Sequence, residues 1–441
     1  MTLSDQQLRA VELVESGANA FLTGMAGTGK STATTAIYGR SKRPIDLCAT
    51  TGIAAINLAQ QFRERAGITV KTYTIYRYAG IMLGPNPGQE FGSFFSYLEL
   101  NMTRSRRAAF QRIRSAQTIV IDEISMLPGR VLDYLDFHFR KIRQKDKPFG
   151  GIQIVAVGDF LQLPPVAKNG IYDWAFLSET WKAAGFTTCY LTQIFRQNEP
   201  AFIDALNDFR VGRISGETAR VLATRVARFP SRNIPRLFTH NAQVDKWNHY
   251  QLECIESNER EFLAVTNGPA DQVEFLVKNL VTPQVLTLKL GARVMFTANL
   301  TSGSEMLAAN GECGFVEQFD VIADKGERAI RILKDDQSTL NVPTHVWSFD
   351  PQDETSATFT QFPLRLAYSM TIHKSQGLTL SEALIDIRAA REPGQAYVAL
   401  SRLKSLSGLY LKDWFSGVFV SPDAINFYRT LERTNAIAVC P

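Results

Sequence analysis

The octapeptide GMAGTGKS, Gly24 to Ser31, constrains this chain more than any other stretch. It fits the phosphate-loop pattern GxxxxGK[ST], directly after the apolar run AFLT and before a segment of helical character, which is the setting such a loop requires. Backbone N–H groups of the loop and of the following helix N-terminus then wrap a chain of phosphates. Gly24, Ala26, Gly27, Thr28, Gly29 and Thr32 are the expected cradle, with Lys30 reaching the β- and γ-phosphates of ATP and Ser31 offering its hydroxyl to Mg2+.

Other short apolar runs alternate with helical patterns: IDLCATT, TIVIDE, GIQIVAVGD and TTCYLT in the first half, PRLFTHN and EALIDI in the second. That alternation predicts an α/β fold with parallel sheets. Leu132, Leu135, Phe139 and Ile142 recur at helical spacing, and Pro200 opens a helix carrying Phe202, Leu206 and Phe209. Two stretches break the pattern and read as insertions. The first, 77–117, contains the loop-forming LGPNPGQEFG; the second, 291–362, reads as short strands and turns and suggests a small β-barrel. A chain of 441 residues with 45% hydrophobic content buries more than one core.

The net charge of +5 is mild, but Arg104, Arg106, Arg107, Arg112 and Arg114 lie close together, and Lys141, Arg143, Lys145 and Lys147 form a second run. Such runs suit a polyanion, or they are solvated helix faces. The five cysteines include no CxxC pair, so neither a zinc site nor a disulfide framework is indicated. No stretch approaches eighteen consecutive apolar residues, and MTLSDQQLRAVELV reads as a capped helix rather than a signal peptide. A soluble intracellular protein with no membrane partner is expected.

IVIDEIS places two acids at a strand end, where Asp122 is suited to hold magnesium and Glu123 to polarise an attacking water. GDFLQLPPV puts Asp159 and Gln162 beside the same phosphates, Gln162 as a detector of the γ-phosphate; Asp159 also reads as a loop cap. Gln7, three residues after Ser4, completes a capping box, and its place upstream of the loop is compatible with adenine recognition.

Together these segments resemble superfamily 1B DNA helicases of the petite-integration-frequency type, related to RecD-like helicases. The resemblance runs in order through CATTGIAAINL, IRQKDKPFGGIQIVAVGDFLQLPPV, LTQIFRQNEPAFIDALNDFRVG, MTIHKSQGLTL and GQAYVALSRLKSLSGLYL. It implies two RecA-like parallel-sheet phosphate-loop domains with inserted subdomains: 1–188 with the insertion near 77–117, then 189–290 and 363–441 with a C-terminal helical extension, interrupted by 291–362. It further implies Arg196 and Arg402 as arginine fingers, Gln7 reading adenine, Gly377 at the nucleotide, and Thr50, Thr51, Thr371, His373 and Lys374 along a DNA strand.

One position departs from the family pattern. Tyr76 stands in TIYRYAGI where the family shows histidine; it either stacks on a base, worth ~1 to 3 kcal/mol, or packs with Tyr73 and Tyr78 against its domain. The activity implied is ATP-dependent translocation on single-stranded DNA, 5′ to 3′, with unwinding of forked or tailed duplex. The alternatives are a RecD-like subunit of a larger complex and a DNA-stimulated ATPase scaffold. A monomer is expected, with replication or repair proteins as partners. Its expected location is the bacterial or viral-host cytoplasm at the nucleoid, or the nucleus or mitochondrion of a eukaryote. A kinase or GTPase fits worse, because there is no NKxD base-reading sequence.

Overall fold

Each apolar run read from the sequence is a strand. The computed structural model describes residues 3–433 except 69, 82–83, 87, 168–169, 227–233, 299, 303–304, 309–311, 324–325, 349–354, 377 and 414–416. It contains two units, 1–229 with 372–441, and 230–371. In the first unit, β1 (Ala20–Gly24), β2 (Ile45–Ala49), β3 (Thr72–Thr74), β4 (Thr118–Asp122), β5 (Gln153–Val157) and β6 (Thr187–Leu191) form one parallel sheet ordered β3-β2-β4-β5-β1-β6. Side chains alternate across it, as the strand period of two requires. Phe21, Cys48, Ile119, Ile121 and Ile154 enter one core, and Leu22, Leu47, Val120, Val155 and Val157 the other.

α1 (Asp5–Glu15), α2 (Lys30–Arg40) and α3 (Gly52–Ala66) cover the second face with Val11, Ile37 and Phe62. The capping box at Ser4 and Gln7 is formed. The other face is covered by α4 (Ile75–Ala79), α5 (Phe91–Leu100), α6 (Arg104–Ser115), α7 (Gly129–Arg143) and α8 (Glu179–Ala183). The stretch expected as a first insertion is thus helical, and it buries Leu98, Phe110 and Ile113 in the core of the sheet. Its arginines divide. Arg106 donates to the Gly80 carbonyl at 3.2 Å, and Arg112 donates to the Tyr78 carbonyl at 3.0 Å while lying over the Tyr73 ring, whereas Arg104, Arg107 and Arg114 are exposed. α9 (Pro200–Val211), with Phe202, Leu206 and Phe209 buried, and α10 (Gly216–Ala223) follow.

In the second unit, β7 (Arg236–Phe238) pairs in parallel with β20 (Ser369–Thr371), and α11 (Asn241–Glu253) packs on them. β8 (Arg260–Leu263) pairs with β10 (Val285–Leu288), and β9 (Val265–Asn267) joins β17 (His345–Ser348) and β18 (Thr358–Gln361) beside α12 (Ala270–Asn279). β11 (Arg293–Phe296), β14 (Cys313–Ile322), β15 (Arg328–Lys334), β16 (Thr339–Pro343) and β19 (Leu364–Leu366) make an antiparallel sheet ordered β16-β15-β14-β11-β19, with β12 (Leu300–Ser302) and β13 (Glu305–Ala308) as a separate hairpin. The expected β-rich insertion is present. Among the described residues, however, β16 and β19 end an open sheet and do not pair, so the barrel is not closed. The fifth strand, β19, also falls outside the expected 291–362.

The chain returns to the first unit with β21 (Ala383–Asp386) and β22 (Leu409–Asp413), which are parallel, α13 (Gln395–Leu400) and α14 (Pro422–Arg433). α14, expected as an extension of a second domain, lies against the core of the first sheet. Phe427 stacks on Phe176 at 4.5 Å between centroids. The Tyr428 hydroxyl sits 2.7 Å from Thr23 Oγ1, accepts from Phe160 N at 3.2 Å and donates to Asp159 Oδ1 at 3.1 Å.

Asp159 also receives both arms of Arg210, at 3.0 and 3.1 Å, with the two side chains 0% and 8% exposed. Asp159 thereby ties α9 and α14 to the end of β5, and its Oδ1 also accepts from Leu161 N at 3.1 Å, as a loop cap does. Burial works to raise its pKa, but Arg210 outweighs it and holds the carboxyl below the usual range.

Arg210→Met would leave this carboxylate buried and unpaired, and is expected to cost about 3–5 kcal/mol, read from the denaturant midpoint. Because the folded-state pKa is depressed, the wild-type advantage is present above roughly pH 4 and shrinks as pH falls below that.

Candidate functional site

Parallel strands deliver their carboxyl ends to one edge of the sheet, and ligand-binding loops gather there. β5 lies between β1 and β4, so the phosphate loop after β1 and the acids ending β4 are one strand apart. α2 begins at Lys30, with Gly29 at φ +80° and Gly27 at +84°, a region that side chains disfavour. Space forbids a side chain as well. A Cβ on Gly27 would come within 2.7 Å of Arg196 Cβ, and one on Gly29 within 2.5 Å of Gln7 Nε2. The loop is braced internally by Thr28, whose hydroxyl donates to Met25 O, and externally by Tyr397, whose hydroxyl accepts from Ala26 N at 2.8 Å.

Lys30 Nζ donates to the carbonyls of Gly24 and Met25, at 2.7 and 2.9 Å. Burial lowers its pKa, opposed by the charges of Asp159, Glu123 and Asp122. Burial raises both acids of the β4 end, and the Glu123 charge raises Asp122 further. Glu123 has φ +54° and is held at two points. Its carbonyl accepts from the Thr50 hydroxyl at 3.0 Å, and its Oε2 accepts from Gln376 Nε2 at 2.8 Å. Thr50 is buried, and its one hydroxyl hydrogen is committed to this bond.

Lys30, Ser31, Thr32, Asp122, Glu123, Gln162, Arg196 and Arg402 line one cavity of about 930 Å³, together with Gln7, Ala26, Gly27, Gly29 and Gln376. The expected fingers therefore face the phosphate loop. Arg196 donates to Ser401 O at 2.9 Å; Arg402 donates to Val398 O at 2.9 Å and to Ser401 Oγ at 2.8 Å. Burial, with the Arg196 charge adding to it, brings the Arg402 guanidinium down to about 9. Gln7 completes its expected cap, where Oε1 accepts from Ser4 N, and its Nε2 donates to Gly29 O at 3.3 Å on the cavity wall.

Among the proposed DNA contacts, Thr51, His373 and Lys374 border the same cavity. Thr51 caps α3, and His373 Nε2 lies 3.2 Å from Glu392. Thr371 ends β20 and is buried. Tyr76 is half-buried against the first core, and burial pushes its hydroxyl up to about 12, an environment that fits packing better than base stacking. Gly377 lies outside the described residues.

Sequence reasoning missed three groups: Tyr397 on the loop, Gln376 on Glu123, and Phe195, which is 51% exposed and faces Gly29 on the cavity wall. An aromatic directly before Arg196 was the available signal for Phe195. The other two depend on the chain returning from far away and carry no local mark.

A phosphate cradle facing paired acids and two guanidiniums is the pocket of a phosphate-loop nucleoside triphosphatase, since a polyanion satisfies so many converging donors. Comparison with known proteins narrows this class. The model of the PIF1-like helicase family matches residues 93–220. An ATP-dependent DNA helicase Pif1 of Bdellovibrio bacteriovorus is 34% identical over 98% of this chain and 92% of its own. The crystal structure of Pif1 helicase from Candida albicans, 32% identical, superposes with a TM-score of 0.79 over 98% of this chain and 100% of that one. A Bacteroides Pif1 helicase in complex with ADP-AlF3 and ssDNA, 29% identical, gives 0.74 over 99% of both chains.

The chain belongs to the PIF1-like helicase family. Its fold is the one read from the sequence, α/β with two RecA-like parallel-sheet phosphate-loop domains and inserted subdomains.

Gly27→Ala is expected to destabilise the protein by about 1–3 kcal/mol through backbone strain and displacement of Arg196. A melt followed by circular dichroism measures it.

Proposed function

We propose that this protein is an ATP-dependent DNA helicase that moves 5′ to 3′ along single-stranded DNA and opens forked or tailed duplex. One observation carries the reading: Lys30, Glu123, Arg196 and Arg402 face a single cavity. Hydrolysis builds charge on the γ-phosphate, and guanidiniums aimed there stabilise that charge in a site that excludes water.

In this mechanism Phe195 and Gln7 receive the adenine, and the loop backbone with Lys30 holds the β- and γ-phosphates. Glu123, oriented by Gln376, takes a proton from the attacking water, and Gln162 registers the γ-phosphate. The residues present fit Mg2+. Asp122 is a half-buried acid raised by desolvation and by the second acid beside it, and the Ser31 hydroxyl borders the same cavity. No three His, Cys, Asp or Glu side chains converge on a metal site among the described residues, so phosphate oxygens would complete the coordination. When bound, the ion would neutralise charge developing between the β- and γ-phosphates.

Coupling to DNA follows from the two bonds on Glu123. Thr50 precedes Thr51, and Gln376 follows His373 and Lys374, so both segments proposed to contact phosphates of the strand also hold the catalytic carboxylate. Tension from DNA on either segment reorients Glu123. The reading keeps the division into 1–188, 189–290 with 363–441, and 291–362, and a monomer.

Lys30→Ala is expected to abolish ATP hydrolysis with the circular dichroism spectrum intact; retained turnover would put the active site elsewhere. Unwinding should require a 5′ tail. Equal rates on 5′- and 3′-tailed duplexes would reverse the assigned polarity, and DNA-stimulated hydrolysis without strand separation would leave only an ATPase scaffold.

A further inference from the structure

α3 turns one face to the nucleotide cavity. Ala54, Asn57, Gln61 and Arg65 line it at spacings of three and four, the repeat of a single helical stripe. Arg65 is at the far end of that stripe, and its guanidinium donates to the hydroxyl of Thr32 in the first turn of α2. The N–H groups of that turn have no partners within the helix and point toward bound phosphate. Gln61, one turn before Arg65, has its Oε1 buried without a hydrogen-bond partner among the described residues, an acceptor that a nucleotide hydroxyl would satisfy. Arg65 is also close enough to Arg196 for its charge, after the larger effect of burial, to help lower that guanidinium.

We propose that Arg65 is a further nucleotide-binding residue, gripping the phosphates nearest the sugar. Lys30 and Ser31 are committed to the β- and γ-phosphates and to magnesium, which leaves the next residue, Thr32, and the arginine touching it beside the α-phosphate. Arg196 and Arg402 answer to the γ-phosphate, which ADP lacks. Arg65 answers to phosphates that ATP and ADP share, so it sets nucleotide affinity without touching the hydrolytic step. This inference rests on the reading of the cavity as the ATP site.

The test is titration of ADP into the full chain by calorimetry, alongside steady-state ATP hydrolysis, for wild type, Arg65→Ala and Arg65→Lys. In Arg65→Ala the Kd for ADP and the KM for ATP should both rise roughly tenfold, the weight of a charge-assisted bond to phosphate. Its kcat should stay within about twofold of wild type, and Arg65→Lys should recover part of the affinity. An unchanged ADP affinity, or a fall in kcat with ADP affinity intact, would overturn the assignment. Should the alanine variant fail to fold, Arg65→Gln, which keeps the length and removes the charge, takes its place under the same criteria. Lys30→Ala separates the two levels. If it is inactive while Arg65→Ala binds ADP normally, only this inference is lost; if it turns over ATP, the site itself is misassigned.

Discussion

The partial burial of the Lys30 ammonium beside its loop is the constraint around which the first unit is arranged. An ammonium withdrawn from water is unstable unless negative charge accompanies it. Here the ends of β4 and β5 supply three carboxylates, Asp122, Glu123 and Asp159, whose charges oppose the desolvation of the lysine. Those acids in turn need partners. Asp159 is neutralised by Arg210 and bound by Tyr428, which fastens α9 and α14 to the sheet. Asp122 and Glu123 have no such guanidinium clamp, and burial pushes both upward. The two kinds of acid are thereby separated: the satisfied one is structural, and the pair held in electrostatic tension is the one proposed for the chemistry.

Glu123 shows how such tension is positioned. A carboxylate on a flexible side chain is a poor base, because each productive encounter costs orientation. In this protein the Glu123 backbone is fixed in a left-handed conformation, its carbonyl is engaged by Thr50, and its carboxylate by Gln376. Thr50 follows β2 and Gln376 lies beyond β20, some 250 residues from Glu123 in sequence, so the geometry of one side chain depends on segments that only the fold brings together. The Asn57 amide, which donates to Gln376 O at 3.4 Å, adds α3 to the same arrangement.

This dependence on distant segments explains what could be read in the sequence. Strands β1, β2, β4, β5 and β6 were legible because a sheet covered on both faces demands unbroken apolar runs, and the loop after β1 because phosphate binding demands a fixed spacing of glycines. The capping box of Gln7 was legible for the same reason, being local. Tyr397, Gln376 and Tyr428 were not, since each acts through a hydroxyl or amide delivered across hundreds of residues. The arginine run of α6 was ambiguous by its nature. Charge alone does not distinguish Arg112, stapled over Tyr73 and Tyr78, from exposed Arg107 on the same helix. The described strands of 291–362 form an open sheet, since strand pattern specifies alternation and not closure, and its fifth strand lay beyond the expected boundary.

Three cations of the cavity, Lys30, Arg196 and Arg402, share one further property. Lys30 donates to Gly24 O at 2.7 Å, Arg196 to Ser401 O at 2.9 Å and Arg402 to Val398 O at 2.9 Å, all neutral backbone acceptors. Exchanging a carbonyl for an anionic phosphate oxygen roughly doubles the strength of such a bond, and in a buried site the gain is not screened away by solvent. Each exchange also releases a segment that the cation had been holding: the loop for Lys30, the turn after α13 for Arg196, and α13 itself for Arg402. On the proposed reading of the site, a nucleotide bearing a γ-phosphate draws all three cations, and one lacking it does not. The difference between ATP and ADP is thereby converted into a difference in which backbone segments are tethered, and a motor needs such a two-state element if hydrolysis is to move anything.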